Sequence, residues 1–225
     1  AQEMADAAKQ SGVVCHVGFN LRFAPAIRKA KEIIGGGEFG TPLEGIFRYG
    51  LASTPDFRFN VIDQHCHIMD TTRYLMGDPN TVSALRSGIE NARDYVAALR
   101  FESGAVGTVN CTSGQPFEKE FLYFEVTGEG NLLFSHGFDE LVWRRGMDHP
   151  WWKNPRPEQV FNRGGYGLDL HLETFGYVGD VDNFLGAVKG EQEDLSPVSD
   201  TVGTMKLCEE ILAQLETEAE KEQNQ

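Results

Sequence analysis

Apolar positions in residues 1–11 recur at helical spacing: Ala1, Met4, Ala5 and Ala8 share one face. Gly12 follows as a natural stop. The next six residues, Val13-Val14-Cys15-His16-Val17-Gly18, are nearly all apolar. That is the pattern of a strand buried on both faces in a parallel sheet. A helix leading into such a strand predicts the closing unit of a doubly wound α/β domain. A second helix is predicted from Pro25, with Ile27, Ala30, Ile33 and Ile34 as its apolar stripe and Gly35-Gly36-Gly37 at its end. Residues 43–51 read as a strand and 61–76 as a helix ended by Gly77. After residue 80 the period changes to two. Tyr95, Ala97, Leu99 and Phe101 alternate, and Ser103-Gly104 marks a hairpin turn. Further strands are predicted over 105–112, 120–127, 131–135 and 141–144, an antiparallel meander. Residues 145–168 read as a long irregular loop with His149, Trp151, Trp152 and three prolines. Two helices, about 169–189 and 200–217, close the chain, the second capped by Ser199 or Asp200.

The predicted fold is α+β: a mostly antiparallel sheet covered by helices on one face, preceded by the last helix–strand unit of an α/β domain. Three segments are expected: a remnant at 1–20, the main domain at 21–217 and an acidic tail at 218–225. The strand 120–127 carries Phe121 and Tyr123 on one side and Leu122, Phe124 and Val126 on the other. The few helices can cover one face, so the other is expected to pair subunits into a homodimer or homotetramer.

Composition narrows the function classes. A formal net charge of −14 argues against nucleic acid and against anionic membrane surfaces. No apolar run approaches the roughly 20 residues of a membrane-spanning helix. The start is polar, unlike a signal peptide, and lacks Met, so residue 1 is not expected to be the natural start. Cys15, Cys66, Cys111 and Cys208 are far apart, which suits reduced, buried thiols in a cytoplasmic protein.

The chemistry concentrates in Asp63-Gln64-His65-Cys66-His67-Ile68-Met69-Asp70. Asp63 and His67 are four apart and share a face of the predicted helix. A carboxylate one turn before an imidazole can orient the ring and stabilise its protonated form, which suits a general acid–base. Spacing alone equally fits an ordinary i,i+4 pair. His65-x-His67 invites a metal, but side chains two apart on a helix point about 200° apart and cannot share one ion, so no metal is expected.

Three stretches carry a family resemblance. They are Val17-Gly18-Phe19-Asn20-Leu21-Arg22-Phe23-x-Pro25, the turn Gly37-Glu38-Phe39-Gly40-Thr41-Pro42, and Asp63-x-x-x-His67-x-x-Asp70 followed by Tyr74-Leu75-x-Gly77. With Phe101-Glu102-Ser103-Gly104-Ala105-Val106-Gly107, they resemble the glucose–fructose oxidoreductase, inositol dehydrogenase and rhizopine-catabolism (Gfo/Idh/MocA) family. The resemblance implies a Rossmann domain before an α+β domain. It implies oxidation of a sugar or polyol hydroxyl, or reduction of the ketone, with NAD or NADP. By the same resemblance His67 is the proton-transfer group, Asp63 binds and polarises the substrate, Arg22 lies near cofactor and substrate, and Asn20 joins it at the cofactor. The sequence departs from the family at its front: it has no G-x-G-x-x-G after a strand and no E-K-P motif, and Gly35-Gly36-Gly37 ends a helix rather than opening one.

Other residues have two readings. Trp151-Trp152 could stack on a sugar ring or pack under the loop. Tyr166, Asp169 and His171 could reach the substrate, or Asp169 could simply cap a helix. His16 reads as a satisfied core residue. The function expected is that of a dehydrogenase's substrate-binding half. A binding or assembly domain without a cofactor lobe is the alternative, and a metal-dependent hydrolase using His65, His67 and Asp70 is a third.

Overall fold

The structure, a computed structural model, describes residues 1–50, 56–113, 121–138, 140–146, 158–162 and 168–223; for 162, 168–170 and 218–223 it describes the backbone alone. Its centre is one eight-stranded sheet in the order β2-β3-β4-β1-β5-β6-β7-β8. The strands are β1 (Glu44–Gly50), β2 (Pro79–Arg86), β3 (Tyr95–Phe101), β4 (Val106–Thr112), β5 (Leu122–Gly128), β6 (Asn131–His136), β7 (Glu140–Arg145) and β8 (Glu158–Asn162). Only β1 against β4 is parallel; the other neighbours are antiparallel. The helices are α1 (Gln2–Ser11), α2 (Pro25–Gly35), α3 (Phe57–Phe59), α4 (Cys66–Met76), α5 (Leu168–Thr174), α6 (Tyr177–Lys189) and α7 (Val198–Gln223). A 3-10 turn spans Asn20–Phe23 and a π-turn Asn60–Gln64.

The predicted alternation decides which face of the sheet is buried. Along β3 the inward residues Tyr95, Ala97, Leu99 and Phe101 are buried and those between them are exposed. Phe47 and Phe124 stack across β1 and β5 at 6.4 Å. With Phe101, Ile68, Met69, Ile211 and Leu212 they form the fully buried centre between the sheet and α4 and α7. Each such side chain contributes on the order of 2 kcal/mol on removal from water. Ile27, Ala30, Ile33 and Ile34 of α2 are buried as predicted.

Four sequence expectations are corrected. The run 13–18 forms no strand: it makes a single bridge, His16 to Pro197, and Val13 and Val14 are 60% and 39% exposed. A two-face-buried strand needs neighbours on each side, and among the described residues it has only that bridge. The helix expected over 61–76 is interrupted by the π-turn, where the His65 N–H reaches back five residues to the Asn60 carbonyl at 2.8 Å. The segment expected to be one loop over 145–168 contains β8. The helix expected over 169–189 breaks at Gly176, whose φ is 86°. A Cβ there would lie 2.1 Å from the Asn20 carbonyl oxygen, so only glycine permits the 3-10 turn to approach this closely. In addition, α7 begins at Val198 and runs through part of the expected tail; Asp200 lies inside its first turn.

Candidate active site

The π-turn decides how the Asp63 and His67 side chains meet. Asp56 caps α3 by accepting the Phe59 N–H at 3.0 Å, and the chain then widens into the π-turn before α4 begins at Cys66. A π-turn carries more residues per revolution than an α-helix, so the i,i+4 stacking across the junction is lost. Asp63 is exposed, and it makes no hydrogen bond to His67 Nδ1. His67 Nδ1 is buried and has no hydrogen-bond partner. The edge of Phe19 packs on the His67 ring at 5.9 Å and 90°. Burial pushes the imidazole below its ordinary pKa, while Asp70, Asp63 and Asp180 pull it back up. The ring is therefore kept neutral with an unused nitrogen, the state of a base awaiting a proton.

His65 has a different environment. It is 1% exposed, its Nδ1 contacts the Tyr95 hydroxyl at 3.0 Å, and burial pushes it down to about 4. It belongs to the aromatic core with Tyr49 and Tyr95, whereas His67 faces Phe19.

Arg22 and Asn20, expected at the cofactor, are both bonded within the fold. Arg22 is buried and grips Asp70 with two parallel bonds, Nε to Oδ2 at 2.7 Å and Nη2 to Oδ1 at 2.5 Å. It also donates to the Leu195 carbonyl at 2.9 Å and to Asp200. Burial alone would lower the guanidinium pKa, but Asp70 and then Asp200 hold it above the usual arginine value. Thr204 Oγ1 donates to Asp70 at 2.9 Å, and Arg73 joins Thr204 and Asp200. The network ties the 3-10 turn, α4 and α7 together. Asn20 donates its amide to the Phe175 carbonyl at 2.8 Å. These donors are engaged inside the fold.

Tyr166, His149, Trp151 and Trp152 lie outside the described residues. His171 is exposed and packs on Phe175 at 5.5 Å. His16, expected to be a satisfied core residue, is held by Asp180 and Asp194. Those two partners gave no sequence signal, because they lie 164 and 178 residues away. A cavity of about 580 Å³ opens between α1 and the start of α7, with Ala5, Ala8, Val13, Val14 and Val202 among its walls. Neither Asp63 nor His67 lines it, so it does not serve their chemistry.

Residues 27–133 match the model of the GFO/IDH/MocA C-terminal domain. Over those residues, just under half of the chain, it is similar to the C-terminal domain of that family. It is 30% identical over 142 residues to scyllo-inositol 2-dehydrogenase (NAD(+)) of Bacillus subtilis (strain 168), a match covering 56% of this chain and 42% of that protein. It is 27% identical over 178 residues to levoglucosan dehydrogenase of Pseudarthrobacter phenanthrenivorans, covering 60% of this chain and 46% of that protein. The matches thus span less than half the length of these relatives. Its fold matches a dehydrogenase from Chromobacterium violaceum with a TM-score of 0.84 at 20% identity, over 99% of this chain and 67% of that one. The site residues Asp63 and His67 fall inside the matched domain.

Proposed function

We propose that this chain is the substrate-binding and catalytic half of an oxidoreductase that moves a hydride between NAD(P) and a hydroxyl or ketone carbon of a sugar, inositol or related polyol. The observation that carries the reading is His67: a neutral ring in the matched domain, with an unpartnered buried nitrogen and carboxylates about it. The relatives' names, scyllo-inositol 2-dehydrogenase (NAD(+)) and levoglucosan dehydrogenase, support the substrate class and the dinucleotide.

Bound NAD(P) supplies the hydride acceptor. His67 takes the hydroxyl proton as the carbon is oxidised and returns it in the reverse direction. The carboxylates then stabilise the imidazolium that forms. Asp63, exposed on the π-turn, binds and polarises the substrate, and Tyr166 makes a further substrate contact. Arg22 and Asn20 act at one remove: they fix the 3-10 turn, and with it Phe19, against the His67 ring.

The test is an absorbance assay for reduced cofactor in the whole enzyme over a polyol panel, with NAD and NADP. Turnover is expected, and His67→Ala is expected to lower kcat by about 10²–10⁴. A His67→Ala enzyme with unchanged kcat removes His67 from the mechanism.

The same reading includes pairing through the sheet. A row of outward positions crosses it: Ala98, Thr108, Ile46, Glu125, Phe134, Val142 and Val160, in register from β3 to β8. Glu125, which accepts the Tyr123 hydroxyl at 2.7 Å, is the one charge in that row. A near-chargeless stripe across a sheet suits an interface between copies, in a homodimer or homotetramer. Light scattering at micromolar concentration is expected to show more than one chain.

A further inference from the structure

His16 is gripped at both ring nitrogens. Nδ1 contacts Asp194 Oδ1 at 2.7 Å and Nε2 contacts Asp180 Oδ1 at 3.1 Å. Asp194 Oδ1 also accepts the Ser196 N–H at 2.9 Å, so it is an acceptor and His16 Nδ1 donates to it. Phe23 and Phe184 flank the ring at 5.9 and 5.7 Å. The ring cannot turn, and it fixes one oxygen of Asp180.

The other oxygen is placed differently. Oδ2 of Asp180 lies 3.9 Å from where a Cβ of Gly18 would stand, and among the described residues nothing else beyond the chain neighbours comes within 4 Å of that point. Gly18 is exposed, so the space beside it is open and the carboxylate oxygen is its near wall. The next residue, Phe19, meets the His67 ring. Residues 18 and 19 thus have Asp180 at one end and His67 at the other.

We propose that Asp180 is a substrate-binding residue of this site and His16 its positioning residue: Oδ2 accepts a hydrogen bond from a hydroxyl adjacent to the reacting one, which selects vicinal diols over simple alcohols. This rests on the dehydrogenase reading above. The pull that Asp180 exerts on His67 agrees with the placement.

Two arms test it. In the whole enzyme, Asp180→Asn is expected to raise KM for a vicinal polyol by about 10-fold or more, the worth of one charge-assisted hydrogen bond, while any fall in kcat from the lost pull on His67 is shared by every substrate. KM for a matched mono-alcohol, which lacks the second hydroxyl, should not move. Gly18→Ala, which fills the open space without touching the charge and meets Asp180 at ordinary contact distance, should do the same. His16→Phe should shift KM in that direction, and His16→Asn should recover part of it. Unchanged polyol KM in both Asp180→Asn and Gly18→Ala overturns the proposal. In the 225-residue chain, NMR titration should show a lower His67 pKa in Asp180→Asn than in the wild type; an unchanged value overturns the placement of Asp180. If the wild-type enzyme turns over no hydroxyl substrate, the dehydrogenase reading fails, and the titration still decides whether Asp180 reaches His67.

Discussion

Asp70 and His67 stand three residues apart on α4 and live under opposite conditions. Both oxygens of Asp70 are filled by Arg22, Thr204 adds a further bond, and the residue is 1% exposed. His67 has a buried nitrogen that nothing in the protein fills. A polar group saturated by its own chain holds the fold. One left unsatisfied is kept for something that arrives from outside. The same turn of helix therefore carries a structural half and a chemical half, and charge alone does not separate them.

Substitutions can break or sharpen this contrast. Arg22→Met should have the largest effect. It strands the buried Asp70 carboxylate, at a cost of about 3–5 kcal/mol of stability, seen as a large fall in Tm or in the urea midpoint. A Tm near that of the wild type would show that the network is dispensable. Acidification should come next, through His65. Its folded pKa is pushed down to about 4 from the ordinary 6.5. Between those values the unfolded chain binds the proton and the folded one does not. Stability is therefore full above pH 6.5 and falls as pH drops toward 4, by up to about 3 kcal/mol. Thermal melts across that range check it, and His65→Asn should flatten the slope. His67→Ala should cost little stability, about 1 kcal/mol, because no hydrogen bond of its ring nitrogens is lost with it; a loss like that of Arg22→Met would erase the contrast. Smallest of all, Arg58→Ala breaks an exposed pair with Glu209 and should leave Tm unmoved.

Much of the frame was legible in the sequence because periodicity reports a buried face. The stripe of α2 and the alternation of β3 are examples, and both are buried as read. The strands that escaped, β2 and β8, are the two edges of the sheet. An edge strand is partly free of the constraint that writes alternation into a sequence; β2 has one buried residue, Ala84. The π-turn and the break at Gly176 arise from tertiary contact, the latter from the approach of the Asn20 carbonyl. At the site, Asp63 and His67 could be read because they lie close in sequence and match a known motif. Asp180 and Asp194 could not, since they meet His16 only after the chain has folded. Arg22 was visible as a residue but not in its role, because Asp200 and Thr204, which complete its network, lie far along the chain.

The place of β1 in the sheet sets an order of events. It comes first in sequence among the strands of this sheet, yet its partners are β4 and β5, whose residues begin 62 and 78 positions further on, at Val106 against Glu44 and at Leu122. The ribbons β2-β3-β4 and β5-β6-β7-β8 are hairpins that close through local contacts, whereas β1 must wait, unpaired, until both exist. Closing such long loops is slow, on the scale of milliseconds to seconds for β-rich topologies. Until then the chain consists of two ribbons with open inner edges, and the insertion of one seven-residue strand turns them into a single body.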